Sequence, residues 1–317
     1  MSKWFSGPLT AGLALMVFCL NPAQGQAGDR LEKVDFKFHT GYRIDQFDWN
    51  IADDLSGSAT PNILSELIWE DLDIYQLGVE SDWRISNNRV PFLGLLTGGV
   101  SYGNIFAGSN RDSDYDGDNR TLVFSRSEND GGDGEVWDLS IAAGPEFVFF
   151  GGGFGLAPLL GYSYHEQNLT SKEGFQTVPP HGSFTGLDSS YDAVWKGGWL
   201  GINLRVTPSD SLALSGRFEW HRAEYRAEAN WNLRDDLQHP VSFAQTADQA
   251  EGLVARLGAE LAVSRKAWLT LDAAYMRWQA EDGIDTVYFA DGSASRTRLN
   301  EANWESLGLA LGLKVVY

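Results

Sequence analysis

The stretch from Leu307 to Tyr317 constrains the fold more than any other. Leu307, Leu309, Leu311, Leu313, Val315 and Tyr317 stand at every second position, separated by Gly308, Ala310, Gly312, Lys314 and Val316. A period of two puts one set on each face of a β-strand. One face is then apolar along its length, and the other is small or polar. Such a strand suits the wall of a membrane barrel, with lipid outside and a filled lumen inside.

The opposite end carries an export pattern. Lys3 precedes an apolar run over residues 8–20, and residues 21–27 are small and polar. These are the three parts of a secretory signal peptide, and the run is shorter than the roughly 20 residues of a membrane-spanning helix. The expected organisation is a cleaved signal peptide, 1–27, followed by one barrel domain, 28–317. Cys19 leaves with the peptide, and Phe18 before it is too bulky for a lipoprotein signal. A mature chain without cysteine has no disulfide framework, thiolate metal site or cysteine nucleophile.

With 24 Lys+Arg against 43 Asp+Glu, the formal net charge is −19. Nucleic acid is excluded as a partner, because its recognition needs a basic footprint. No second apolar run reaches helix-spanning length, so a membrane-crossing form must be a closed barrel. Twelve Trp, eleven Tyr and 35 Gly fit a barrel with interfacial aromatic girdles as well as they fit a secreted β-sandwich.

The loops separate these two folds. Alternating segments predict ten strands: 32–51, 62–83, 90–107, 132–150, 153–170, 191–206, 211–232, 248–264, 266–281 and 301–317. Short turns at 84–89, 151–153, 207–210 and 264–266 interleave with long polar loops at 52–61, 108–131, 171–190, 233–247 and 282–300. The expected fold is therefore all-β: a ten-stranded antiparallel transmembrane β-barrel with short periplasmic turns, long extracellular loops and both termini on the short-turn side. Its place is the bacterial outer membrane, where it contacts lipid as a monomer. Most predicted strands exceed the 9–11 residues that a bilayer needs, so the barrel should stand above the outer leaflet, its upper rim wet on both faces. Ten strands leave little open lumen. Arg217, Glu219 and His221, opposite Leu214, Phe218 and Trp220, read as part of a paired structural ladder inside it.

Several segments are similar in order to the omptins, ten-stranded outer-membrane proteases: FDWN at 47–50, SELIWED at 65–71, SRSEND at 125–130, VWDLSIAAG at 136–144, LLGYSYHE at 159–166, EGF at 173–175 and the closing strand. The stretch NILSELIWEDLDIY at 62–75 also resembles the Protochlamydia outer membrane proteins. The omptin resemblance implies two catalytic pairs across the barrel mouth, Asp-x-Asp and Asp-x-His. Asp112 and Asp114, followed by Tyr115, match the first. Asn230 and Asn232 occupy the second, and asparagine cannot act as a base. The other candidates are His239, in a loop, and the Glu219–His221 couple, which lies about ten residues nearer the periplasm, some 30 Å deeper at ~3.3 Å per residue. At the lipopolysaccharide site that the resemblance implies, Glu166 and Val194 replace basic residues, with Lys196 nearby.

Asp112, Asp114, Asp116 and Gly117 also match the front half of a calcium loop, with Asp118 in reach. Position twelve of that loop is Val123 rather than a bidentate Glu. Ca²⁺ is thus a candidate cofactor beside a plain solvated acidic loop. The expected function is a non-proteolytic surface scaffold or adhesin whose long loops meet an extracellular protein or peptide. An omptin-type endopeptidase and a narrow pore are the alternatives.

Overall fold

The computed structural model describes residues 29–87 and 90–317; the expected signal peptide, 1–27, lies outside them. Its strands are β1 (Asp29–Ile51), β2 (Ser65–Asn87), β3 (Leu93–Gly117), β4 (Thr121–Asp130), β5 (Gly134–Phe149), β6 (Phe154–Val178), β7 (Gly182–Ser183), β8 (Asp188–Ser209), β9 (Leu212–Asn230), β10 (Phe243–Ala262), β11 (Ala267–Tyr288) and β12 (Ala294–Val316). All pairings are antiparallel. The sheet closes where β1 meets β12, from Asp35↔Val316 to Ile51↔Leu299. β4 and β5 share one place in the wall. Both pair with β3 and β6, β4 in the upper half and β5 in the lower. Two-residue β7 only lengthens the edge of β6. The ring therefore has the ten wall positions expected, with the start of β1 and the end of β12 beside the short turns.

Three of the expected loops are largely wall. Residues 108–131 form the top of β3, a tight turn at 118–120 and β4. The segments 171–190 and 282–300 likewise continue as strand to Val178 and Tyr288 and resume at Asp188 and Ala294. Their polar composition reflects an outer surface in water, and water does not prevent a strand with paired neighbours.

The lower half of the wall obeys membrane rules. Leu307, Leu309 and Leu311 turn outward, about 60% exposed, as do Leu200, Phe218, Leu257 and Leu271. Aromatic residues frame this band. Phe36 meets Trp83 and Tyr317, each at 6.2 Å, along the lower edge, and Tyr75 meets Tyr42 and Phe106, at 6.0 and 4.5 Å, along the upper edge. Inside the band the lumen carries paired charge. Arg43 binds Asp45 and Asp138, both at 2.7 Å, and Arg84 binds Glu146 at 2.6 Å and Asp35 at 3.0 Å. Lys37 bridges Glu80 and Asp272, while Glu260 receives both Lys314 and Arg205.

Above the upper girdle the polarity reverses. On β9, Arg222, Glu224, Arg226 and Glu228 face outward, and Arg222 pairs with Glu251 at 2.7 Å. The alternate residues Ala223, Tyr225, Ala227 and Ala229 face inward and are buried. Large side chains, Tyr225 of β9 and others from neighbouring strands, fill the space that these alanines leave. Phe47, Trp69, Tyr191, Trp195, Tyr225, Trp278 and Trp304 are all fully buried there, with Trp278 stacked on Trp304 at 5.9 Å. The expectation of a rim wet on both faces is thus corrected: the upper barrel is dry inside. Each such aromatic buries about 150–250 Å², and that burial holds the extramembrane wall together as in a soluble barrel.

Candidate functional site

Bulges set the direction of the first acidic pair. Leu72 and Ile74 of β2 both point inward, and so do Leu67 and Trp69; the change of parity between them falls at Asp71, whose φ is 52°. The pairing with β3 shifts at the same level. β3 changes face with it, from Ile105 to Asn110, and Asp112 then pairs with Leu67 and Asp114 with Ser65. Both carboxylates therefore look into the mouth, while Ser113 and Tyr115 lie on the other face, bound to Arg126 and Glu66.

Burial raises the Asp112 carboxyl to about 8, and the neighbouring Asp114 adds to the rise. Asp114 is raised by burial too, against hydrogen bonds from Ser65 and Ser125. The cation that opposes both shifts is Arg234. The loop over residues 231–242 carries this arginine, clamped by Asp236 through two contacts of 2.8 Å. Gln238 N–H donates to the Tyr288 carbonyl and Ala290 N–H to the Asp236 carbonyl, tying this loop to the top of β11.

The asparagines at the second pair are otherwise engaged. Asn232 accepts from Asp188 N–H at 2.9 Å and Ser189 Oγ at 3.1 Å, and donates to the Gly186 carbonyl at 2.6 Å, so it pins the loop before β8. Asn230 Oδ1 lies 2.7 Å from His239 Nδ1. His239 is exposed, and an amide rather than a carboxylate orients its ring. Burial and the neighbouring Asp114 thus favour the protonated Asp112 carboxyl, and the side chain that meets the His239 ring is an amide.

Of the four aspartates of the expected calcium loop, Asp112, Asp114 and Asp116 lie on strand β3 and only Asp118 in the turn after it. Asp116 is exposed, and Asp118, in the turn, accepts from Asn62 N–H at 2.9 Å and Thr60 Oγ1 at 3.2 Å. Among the described residues, no group of three or more His, Cys, Asp or Glu is placed to hold a metal ion.

Deeper in the lumen the Glu219–His221 couple expected from the sequence is joined by side chains from other strands. Ser163 Oγ is 3.1 Å from His221 Nδ1, and His221 Nε2 is 3.0 Å from Glu219. His165 Nδ1 is 2.7 Å from Asp138. The first has the order of a serine–histidine–acid relay, but its three members are at most 2% exposed. Trp199 and Trp278 pack on the imidazole at 5.7 and 4.7 Å and leave no place for a substrate. It is a structural network beneath the aromatic layer.

A family model described as Protochlamydia outer membrane protein matches residues 37–317. No curated protein matches the chain. Among solved structures, the outer membrane protease OmpT from Escherichia coli superposes with a TM-score of 0.70 at 14% identity, over 91% of this chain and 98% of that one. The outer membrane protein OprG from Pseudomonas aeruginosa matches at a TM-score of 0.34 and 11% identity, over 92% and 96% of the two chains. The likeness to OmpT is one of fold.

Proposed function

We propose that this chain, which belongs to the Protochlamydia outer membrane protein family, acts as a monomeric, non-proteolytic surface scaffold that binds an extracellular protein or peptide through its upper loops. It is an integral outer-membrane β-barrel with an omptin-like fold.

The observation that carries the proposal is the filled mouth. Where a protease needs a groove with a base and a water, this barrel has a dry aromatic layer below Asp112 and Asp114, and Arg234 acts on the pair. Hydrolysis of a peptide requires a general base near neutral pKa within reach of the attacking water. Asn230 and Asn232 supply none. The wall instead forms a rigid pedestal that raises its loops above the membrane. Apolar side chains sit exposed near its tips, with Leu122 at 71% and Leu55 at 54%, joined by Phe124 and Leu233. Exposed apolar groups rimmed by polar ones suit a protein contact.

The His239–Asn230 contact is the one feature favouring an endopeptidase, since it returns an imidazole to the level of the second pair. Detergent-purified barrel incubated with dibasic and unbiased peptide libraries tests the choice. Intact peptides are expected. Cleavage that disappears in Asp112→Asn or Asp114→Asn would overturn the proposal. The aromatic layer also argues against a pore, and planar-bilayer recording should show no steady ohmic steps.

A further inference from the structure

We propose that the lumen within the membrane binds one small oxyanion, a carboxylate or phosphate group entering from the periplasmic side, between the guanidinium groups of Arg217 and Arg256. This inference is independent of what the upper loops contact.

The two arginines are direct cross-strand partners on β9 and β10. Both enter the lumen. Arg217 crosses to Thr97 of β3, at 3.3 Å, and Arg256 extends toward Glu80 of β2. Like charges directly opposite on neighbouring strands repel, so such a pair needs an anion between its members or close counter-charges. Glu219, Glu80, Asp138 and Asp272 all act on Arg256, but the carboxylates nearest to the two arginines are held loosely. Arg217 has Glu219 at 3.9 Å and Arg256 has Glu80 at 3.8 Å. Both carboxylates have nearer partners, Glu219 in His221 at 3.0 Å and Glu80 in Lys37 at 2.9 Å. Of the other lumen arginines, Arg43 and Arg84 hold carboxylates at 2.6–2.7 Å and Arg205 holds Glu260 at 3.3 Å. Arg256 Nε is buried without a hydrogen-bond partner, and so is Nδ1 of nearby His39.

Room and access are present. Two adjoining polar cavities of about 130 and 80 Å³ share His39, Glu80, Arg217 and Arg256 as lining, enough for several waters or one small anion. The larger reaches down to Asp82 and Arg84, beside the short turns, and Asp82 is 29% exposed. The upper end meets His165 and Trp199 under the aromatic layer. The site is a blind vestibule with its opening at the periplasmic end. A guanidinium presents a planar fork of donors that matches an oxyanion bidentately, and two such forks with a free imidazole nitrogen form a receptor for one.

Isothermal titration of the full barrel in detergent, in a cationic buffer at constant ionic strength, tests the assignment with inorganic phosphate and acetate as probes. Saturable one-site binding of at least one probe is expected, weakened about tenfold or more in Arg217→Gln and Arg256→Gln, since each removes a charged fork. Arg222→Gln, on the outer wall, should leave it unchanged. If a glutamine variant does not fold, Arg217→Lys or Arg256→Lys, which keep the charge and lose the fork, must show weakened binding. Absence of saturable binding with both probes, or equal affinity in the lumen variants, would refute the site.

Discussion

Trp278→Ala should cost the upper barrel about 3–5 kcal/mol, the range for deleting a buried aromatic from a packed core. Trp278 has no exposed surface and touches Trp304, Trp195, His165 and His221, with ring centroids 5.9, 5.9, 4.8 and 4.7 Å away. At about 25 cal/mol per Å², burying 150–250 Å² contributes about 4–6 kcal/mol as an upper bound. Alanine keeps a part of that, and the cavity left behind adds to the loss. Gly252 lies against the indole, where a Cβ would come within 2.6 Å of the ring, so the backbone opposite has no side chain to fill the gap. Urea titration in lipid vesicles measures the loss, and hydrogen exchange locates it. The extracellular halves of β8–β11 should exchange faster, while the membrane-level amides stay protected. Trp220→Ala, which removes an indole from the lipid-facing side, should spare the upper amides. A loss below about 1 kcal/mol, or uniform acceleration along the strands, would show that the upper wall is held by its backbone ladder and that the aromatic layer is incidental.

Three further outcomes follow from particular contacts. Burial of Asp285 lifts its carboxyl to about 7, against a hydrogen bond from Gln245; its stabilising protonated form is fully present below the unfolded value of about 4 and is lost as pH rises through 7. Wild-type stability should therefore fall relative to Asp285→Asn between those values in parallel urea titrations, and parallel pH profiles would contradict the assignment. Gly197→Ala should lower the urea midpoint by the equivalent of about 1–3 kcal/mol, because its Cβ would stand 2.5 Å from Ala223 Cα, a backbone atom that cannot move aside. Asn232→Ala removes three hydrogen bonds from residues 186–189, at about 0.5–1.5 kcal/mol each, and should speed limited proteolysis there; unchanged cutting would refute the pinning role.

The membrane half of the fold was legible because a single property alternates along each strand. Leu307, Leu309 and Leu311 announce lipid, and Gly308, Ala310 and Gly312 announce the lumen without reference to any other strand. The upper half lacked that signal. Trp69, Tyr191, Trp278 and Trp304 come from four separate strands, the last three among polar neighbours, and they form a layer only once the ring closes. The alanines of β9, Ala223, Ala227 and Ala229, are buried, and their smallness admits those rings. Asp112 and Asp114 were visible as candidates, but their inward direction depends on the bulge beside Asp71, which no local pattern marks. Arg234 was missed because it acts through a loop. The Arg217–Arg256 opposition was equally hidden, since strand register is set by the whole sheet.

The switch in polarity along each strand also acts as a waterline. Trp220 faces lipid and Arg222, two residues on, faces water; Tyr275 and Arg277 repeat the step on β11, as do Leu307 and Glu305 on β12. Sinking the cylinder by one such step would drag a circle of charges, Arg222, Glu251, Arg277 and Glu305, into hydrocarbon, where a cation costs up to about 2–4 kcal/mol at full depth. Raising it would strip lipid from the lower aromatic ring. The molecule thus floats at one height, and in a bilayer thicker than its oily band the surrounding lipid must thin to meet it.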